Sequence, residues 1–513
     1  VSNIKLGMRA LWKNPFVSAV AIVSLALGIG ANTAIFSLFN DLILSSLPVP
    51  ESARLVNLGA PGPKPGSQSC NNAGSCDDVF SYPMFRDLEE MQTVFTGIAG
   101  HRAFGANLAY EGQTMSDQGM FVSGSYFSVL GLQPALGRLI GPGDDASPGE
   151  SAVVLLSHGY WQSRFGGDPG VVGETLIING HPMTIIGVAP DGFEGTTLGR
   201  LPKVFVPITM RELEAPGFEG FDERRSYWVY VFARLKDSIS IEQARAAINA
   251  QYSGIINEVE APLQSGMSEQ TMERFRAKEI TVVPGAKGQS LIRSMALAPL
   301  SLLYGVTALV LLIACANIAN LLLARGAARS SEMAVRLSIG AGRGQLIRQL
   351  LTESCLLAAF GGVAGLLVAR WTLSLIRSLL PDEASAMVAA GIDLPILASA
   401  AALALATGIV FGIFPALNST RAEVLSALKS QAGQPSGAKS ASRFRTALAI
   451  GQIALSMTLL VAAGLFARSL LNVSRVDLGL QTEGIVTFGI SPEFNGYAPE
   501  ASRDLFIRTE EEL

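Results

Sequence analysis

The apolar residues of this chain are gathered into long uncharged runs separated by segments of ordinary polar composition. The runs cover residues 15–40, 295–324, 354–369, 394–420 and 446–467. A helix rises about 1.5 Å per residue and the hydrocarbon core is about 30 Å thick, so about 20 residues suffice to cross it. Four runs meet that length directly. The third is interrupted only by Arg370, whose long side chain can snorkel to an interface beside Trp371, and it is read as a fifth span.

Between the first and second runs the pattern changes. Residues 176–188 (LIINGHPMTIIGV) are two β-rich stretches about Asn179-Gly180, a hairpin signal. Residues 227–235 (YWVYVFARL) read as a strand and 240–259 as a helix opened by a Ser240-x-x-Gln243 capping box. Residues 280–283 read as strand again, which completes a β-α-β unit. A second, glycine-rich part covers about 120–225. The expected fold is therefore an integral membrane α-helical protein of about five transmembrane helices, with a large extracytoplasmic α+β domain of two subdomains.

Basic residues orient the spans. Lys5, Arg9 and Lys13 precede the first, and five arginines (Arg325, Arg329, Arg336, Arg343, Arg348) lie between the second and third. Arg421, Lys429, Lys439, Arg443 and Arg445 follow the fourth. The loop 381–393 has Asp382, Glu383 and Asp393 and no base. All short loops thus agree on a cytoplasmic N-terminus, with 48–294 and 472–513 outside. The first run is much longer than a signal-peptide apolar region and no clear small-x-small cleavage site comes after it, so it is read as an anchor.

The segment 325–353 is more than a connection. Its arginines alternate with Met333, Val335, Leu337 and Ile339, and Arg329 and Arg336 stand three and four residues from Glu332, the spacing of intrahelical ion pairs. A basic amphipathic helix on the inner membrane face is expected, facing either a protein partner or lipid headgroups.

Composition agrees with a membrane protein: of 513 residues, 49% are hydrophobic and 16% charged. The net charge of −4 gives no reason to expect nucleic-acid binding. Residues 340–344 (GAGRG) lack the lysine and hydroxyl of a phosphate-binding loop, so no ATP hydrolysis by this chain is expected. His101, His158 and His181 are too far apart to make a ligand pair of the HxxxH kind, and no nucleophile elbow or triad is legible; no cofactor and no metal are expected. Cys70 and Cys76 enclose a short polar loop in the exterior compartment and are either a structural disulfide or two free thiols. Cys315 and Cys355 fall in spans and read as packing residues. Asn32, Thr33, Asn317 and Asn320, with Gly28, Gly30, Gly361, Gly362 and Gly365, read as interhelical hydrogen-bonding and close-packing positions.

Several stretches resemble the MacB/FtsX superfamily of ABC-transporter permeases, also called type VII or mechanotransmission ABC proteins. They are NPFVSAVAIVSLALGIGANTAIFSLFNDLIL at the first span, SGSYFSVLGLQPALGR (123–138) and VVLLSHGYWQSRFGGDPGVVGETLIINGHPMTIIGVAPDGF (153–193). NIANLLLARGAARSSEMAVRLSIGAGRGQLIRQLLTES (317–354) completes the set. Without a fused nucleotide-binding domain and with a fifth span, the chain is most similar to the duplicated orphan permeases of acidobacteria. In that comparison it begins a second copy of its own opening, incomplete at 472–513, with a β-like run at 484–490.

The resemblance implies a bacterial inner-membrane location, a periplasmic core domain over 48–294 and a permease domain over 295–430 with a coupling helix at 325–351. Next come a flexible linker at 431–445 and a last span at 446–471. The resemblance also implies a non-catalytic permease that depends on a separate cytoplasmic ABC ATPase and moves or extrudes an envelope substrate, working as a dimer or pseudo-dimer among membrane lipids. Carried onto this sequence, the ATPase-coupling residues are Glu332, Met333, Arg336, Leu337, Ile339, Gly340 and Arg343. The competing reading is an ATP-independent membrane-anchored sensor or scaffold that binds an envelope ligand or partner.

Overall fold

In the computed structural model the described residues are 2–13, 15–71, 73–328, 335, 339, 342–380, 391, 393–419, 438–475, 492 and 497–512. They fall into two compact units, Val1–Ile43 with Ala296–Ile485, and Leu44–Met295 with Val486–Leu513. The acidic loop residues Asp382 and Glu383, the linker residues 431–437 and the run 484–490 lie outside the described residues.

The helical unit begins with α1 (Ser2–Lys13) and α2 (Pro15–Phe39). It continues with α3 (Leu291–Ala328), α4 (Arg343–Leu379), α5 (Leu394–Ser419) and α6 (Ala438–Ser474). Four described stretches are long and apolar enough to cross a membrane: Pro15–Leu44, Leu291–Leu321, Arg343–Leu379 and Thr446–Ser474. Leu394–Val410, within the 26 residues of α5, is a further apolar stretch. Arg370 and Trp371 are exposed side by side on α4. The expected linker over 431–445 is shortened, because α6 already starts at Ala438. Its sequence there, AKSASRFR, is rich in good helix formers and contains no glycine or proline.

Small residues let these helices approach. A Cβ on Gly30 of α2 would lie 2.8 Å from the carbonyl oxygen of Gly365 on α4, and one on Gly361 would lie 2.5 Å from Leu25 Cβ. Gly412 and Gly408 of α5 meet Ser354 and Cys355 of α4 in the same manner. Between α2 and α3 the tie is polar: Asn32 Nδ2 donates to the Thr307 carbonyl at 2.7 Å and to its own helix at Gly28 O, 2.9 Å away. Apolar neighbours cannot drive association in lipid, so close backbone contact and such hydrogen bonds hold the bundle.

The exterior unit is built on one 12-stranded sheet. Its strands are β1 (Leu55–Gly59), β2 (Ser67–Gln68), β3 (Val79–Ser81), β4 (Phe95–Tyr110), β5 (Gln113–Val122) and β6 (Leu136–Gly137). They continue as β7 (Val153–Leu156), β8 (Thr175–Ile178), β9 (His181–Val188), β10 (Val204–Pro207), β11 (Ser226–Leu235) and β12 (Thr281–Pro284). The main path runs β12-β1-β11-β4-β5-β10-β7-β9-β6. The two expected subdomains therefore share a continuous sheet. The glycine-rich part supplies its β5–β10 end, and the β-α-β part its β11–β12 end.

The β-α-β unit differs from its simplest form. β1 is antiparallel to both β11 and β12 and lies between them, so the crossover through helix Ile241–Gly254 skips a strand. The Ser240/Gln243 capping box forms as the sequence predicts. So does the β8–β9 hairpin, whose turn holds Asn179 and Gly180 at φ 49° and 82°, the left-handed pair a two-residue hairpin requires.

Both faces of the sheet are covered, which is why its central strands are apolar at consecutive positions rather than at alternate ones. Val204, Val206, Val229, Val231 and Phe121 point into one core. Phe205, Phe232, Met120 and Val122 point into the other, around Tyr126, Phe127 and Phe193. Cys70 and Cys76 are paired, with Cα atoms 5.3 Å apart. Tyr230 pins the loop they close by donating its hydroxyl to Asn71 O at 2.9 Å.

Candidate coupling site

The basic segment 325–353 is divided among elements. α3 continues to Ala328, and α4 starts afresh at Arg343 behind Gly342, whose φ of −69° and ψ of 139° are extended. A single helix over 325–351 therefore does not form. Glycine weakens helix continuity, and at the N-cap position, held here by Gly342, it is well tolerated. Between the helices, Ile339 N donates to Val335 O at 3.1 Å, and these two apolar side chains are 81% and 56% exposed. Arg343 and Arg348 are exposed on α4. Glu332, Met333, Arg336, Leu337 and Gly340, with Arg329, lie outside the described residues.

Past Arg348 the segment turns from solvent into the helix packing. Glu353 is 4% exposed, on the same face of α4 as Leu346, where Gly7 of α1 comes against Leu356. Packing of α1 against α4 thus removes one of the segment's two acids from the solvated face.

At its other end α3 grows out of a firmly tied root in the exterior unit. Gly285 N donates to Leu55 O at 2.7 Å, Leu47 N to Ala286 O at 2.8 Å, and Asn57 Nδ2 to Gly288 O at 3.0 Å. Gln289 is the centre of this root. Its backbone N–H reaches Thr196 O at 2.9 Å, its Nε2 donates to Val231 O at 3.0 Å, and its Oε1 lies 2.6 Å from His101 Nε2. Because the amide nitrogen is committed to Val231, the oxygen faces the ring, and His101 must carry its proton on Nε2. His101 is fully buried, and that burial lowers its pKa to about 4, so the ring is neutral.

The exterior unit also buries charge elsewhere. Arg211 is sandwiched with its guanidinium 4.1 Å from the Trp228 ring and 4.4 Å from Phe218. Burial, and then the neighbouring Arg102, lower its pKa to about 9. Glu214 lies 3.4 Å from Arg102 and 3.7 Å from Arg211 and shares its charge between them. Burial raises Glu260 to about 7 against the opposing pull of Lys278 and Arg224. A groove of about 810 Å³ runs along the outer strand β12, lined by Arg245, Arg274 and Lys278. Of the histidines, His158 meets Asp191 at 3.1 Å and His181 is exposed after its hairpin turn.

The sequence gives Gln289 no legible role and offers His101 only as one of three scattered histidines. Nothing local marks Gln289, and His101 stands beside Arg102 in a strand of mixed composition, so neither carries a legible signal. The helical unit and the sheet domain are those of a membrane protein that carries a large α+β domain outside its apolar helices.

A MacB-like periplasmic core domain matches residues 18–251, and an FtsX-like permease C-terminal domain matches residues 304–424. The chain belongs to the MacB/FtsX-like, type VII ABC permeases, inner-membrane proteins with an extracytoplasmic domain. It is similar to the pyoverdine export ATP-binding/permease protein PvdT of Pseudomonas syringae pv. syringae (strain B728a), 23% identical over 83% of this chain and 59% of that protein. It is similar also to the macrolide export ATP-binding/permease protein MacB of Burkholderia thailandensis, 24% identical over 59% of this chain and 41% of that one. The chain thus spans about three fifths of the length of the first of these relatives. The periplasmic region of MacB from Actinobacillus actinomycetemcomitans aligns in structure over 46% of this chain and 90% of its own, at 15% identity and a TM-score of 0.32.

Proposed function

We propose that this chain is the non-catalytic permease of an ABC-type export or envelope-extrusion system, and that it carries an ATPase's conformational change to its periplasmic domain. The observation that carries the reading is the order of parts in one chain. A MacB-like core domain is followed by an FtsX-like helix set whose first helix, α3, is 38 residues and so about 57 Å long. That is nearly twice what the hydrocarbon core of about 30 Å requires. The tied root at Gln289 suits a helix that transmits a push or a pull.

In this reading the N-terminus is cytoplasmic, 48–294 is the periplasmic domain and 295–430 the permease domain. The coupling residues are Glu332, Met333, Arg336, Leu337, Ile339, Gly340 and Arg343, which meet a separate cytoplasmic ATP-binding subunit. The exposure of Ile339 and Arg343 supports a docking role for the turn before α4. The permease works as a pair around a dimeric ATPase. The relatives are named for pyoverdine and macrolide export, and export of an envelope or small-molecule cargo is the activity taken over here.

The test is a pull-down of the solubilised full chain from its native membranes, wild type against Glu332→Lys and Arg336→Glu, followed by ATP turnover of the recovered complex. An ATPase recovered with wild type, and turnover lost in the folded variants, is the expected result. Recovery of no ATPase, with an envelope component retained instead, would replace this reading by the ATP-independent scaffold.

A further inference from the structure

We propose that α1 and the elbow after it form a binding site for one anionic phospholipid. The acyl chain would occupy the groove at the α1–α2 elbow, and the phosphate would lie against Lys5, Arg9 and Lys13. Residues four apart lie nearly above one another on a helix, so α1 divides into rows. Gly7 and Leu11 form the packed row: Leu11 is 7% exposed, and a Cβ on Gly7 would stand 2.8 Å from Leu356 of α4. Ile4, Met8 and Trp12 form an exposed apolar row, 52%, 43% and 82% accessible. Lys5, Arg9 and Lys13 form an exposed basic row, and none of them makes an ion pair among the described residues. By helical rotation of about 100° per residue, the apolar row lies between the packed row and the basic one.

The apolar row borders an open groove of about 340 Å³ lined by Met8, Leu11, Trp12, Ala19, Ile22 and Phe360. Ser18 fixes the elbow by donating its hydroxyl to Leu11 O at 3.1 Å, which also satisfies a carbonyl near the end of α1. Ala19 and Ile22 belong to the membrane helix α2, so this end of the groove opens where acyl chains are the surrounding solvent. A helix with an apolar face and a basic face lies in the interface, and its bases are attracted to anionic headgroups. The charge on the row selects an anionic lipid over a zwitterionic one. The groove gives that lipid a place instead of a diffuse shell.

Trp12 is the reporter. The full chain is placed in zwitterionic nanodiscs containing a minor fraction of either bromine-labelled-chain phosphatidylglycerol or bromine-labelled-chain phosphatidylcholine. The Trp12 signal is the difference between wild type and Trp12→Phe. The expected result is quenching by the phosphatidylglycerol at about tenfold lower content than by the phosphatidylcholine. The preference disappears in the triple variant Lys5→Gln, Arg9→Gln, Lys13→Gln, whose changes are all at exposed positions. Ala19→Phe, which fills the groove, lowers quenching by both lipids with the basic row intact. Equal quenching by the two lipids would mean an annular lipid only and overturns the proposal. A preference that survives the triple variant overturns its charge basis. Quenching by neither lipid means that the groove is closed or held by protein, and overturns it as well.

Discussion

His101 and Gln289 meet at 2.6 Å in the core of the exterior domain, 188 residues apart in sequence and only two residues before α3 begins. Through Gln289 the start of α3 is bonded both to β4, which holds His101, and to β11 at Val231. A displacement of the helix root is therefore felt by two central strands of the sheet.

Replacing Gln289 by leucine leaves the His101 N–H without this partner in a buried place and removes the side-chain bond to the Val231 carbonyl. The buried N–H left unpaired and the lost bond cost on the order of 3 kcal/mol together. The exterior unit of Gln289→Leu should melt earlier, and amides around residues 285–290 should exchange faster by hydrogen-exchange mass spectrometry of the full chain. Unchanged exchange there would show that the backbone bonds alone hold the root.

His101 also sets a pH dependence. Its folded pKa of about 4 lies below the ordinary 6.5, because burial disfavours the imidazolium. Between these values the unfolded chain binds the proton and the folded one does not. The stability His101 contributes is therefore complete above about pH 6.5 and is lost as pH falls toward 4, by about 3 kcal/mol in all. Glu260 runs the other way: raised to about 7, it favours the folded state at low pH and loses that contribution as pH rises from 4.5 to 7. The difference in melting between wild type and His101→Gln isolates the first effect, and it should shrink from pH 7 to pH 4.5.

In the helical unit, steric change should outweigh loss of the hydrogen bond. Asn32→Leu removes the contacts to Thr307, and such bonds in membranes are worth about 1 kcal/mol. Gly30→Val adds atoms where Gly365 O and Val368 Cβ are already 2.8 Å from the nearest added carbon, so α2 and α4 must separate. Reversible unfolding in mixed micelles should show a mild loss for the first and a several-fold greater one for the second.

The Cys70–Cys76 pair closes a short loop, for which chain entropy gives about 2 kcal/mol of stabilisation. Cys70→Ser with Cys76→Ser should lower the melting temperature of the exterior unit and release the loop from Tyr230. A free-thiol assay of wild type under denaturing conditions should find only Cys315 and Cys355 reactive.

The apolar runs, the Asn179-Gly180 hairpin and the Ser240 cap were legible because each rests on neighbours in sequence: transfer of a contiguous stretch into lipid, φ of two adjacent residues, or a bond to the third residue on. The basic segment 325–353 was legible only in its composition and charge spacing. The same sequence also held Gly342, whose extended backbone makes α4 start afresh at Arg343.

By itself the sequence determined that the chain spans a membrane, carries a large αβ domain and places a basic segment between its second and third spans. Hydrophobic transfer and local hydrogen bonding are additive along the chain. Tertiary structure alone decided that β1 is inserted between β11 and β12, that Glu353 is buried against α1, and that Gln289 is held by His101. Each of these is a contact between distant residues, selected by which surfaces remain to be covered once the local elements have formed, and no short window of sequence contains that information.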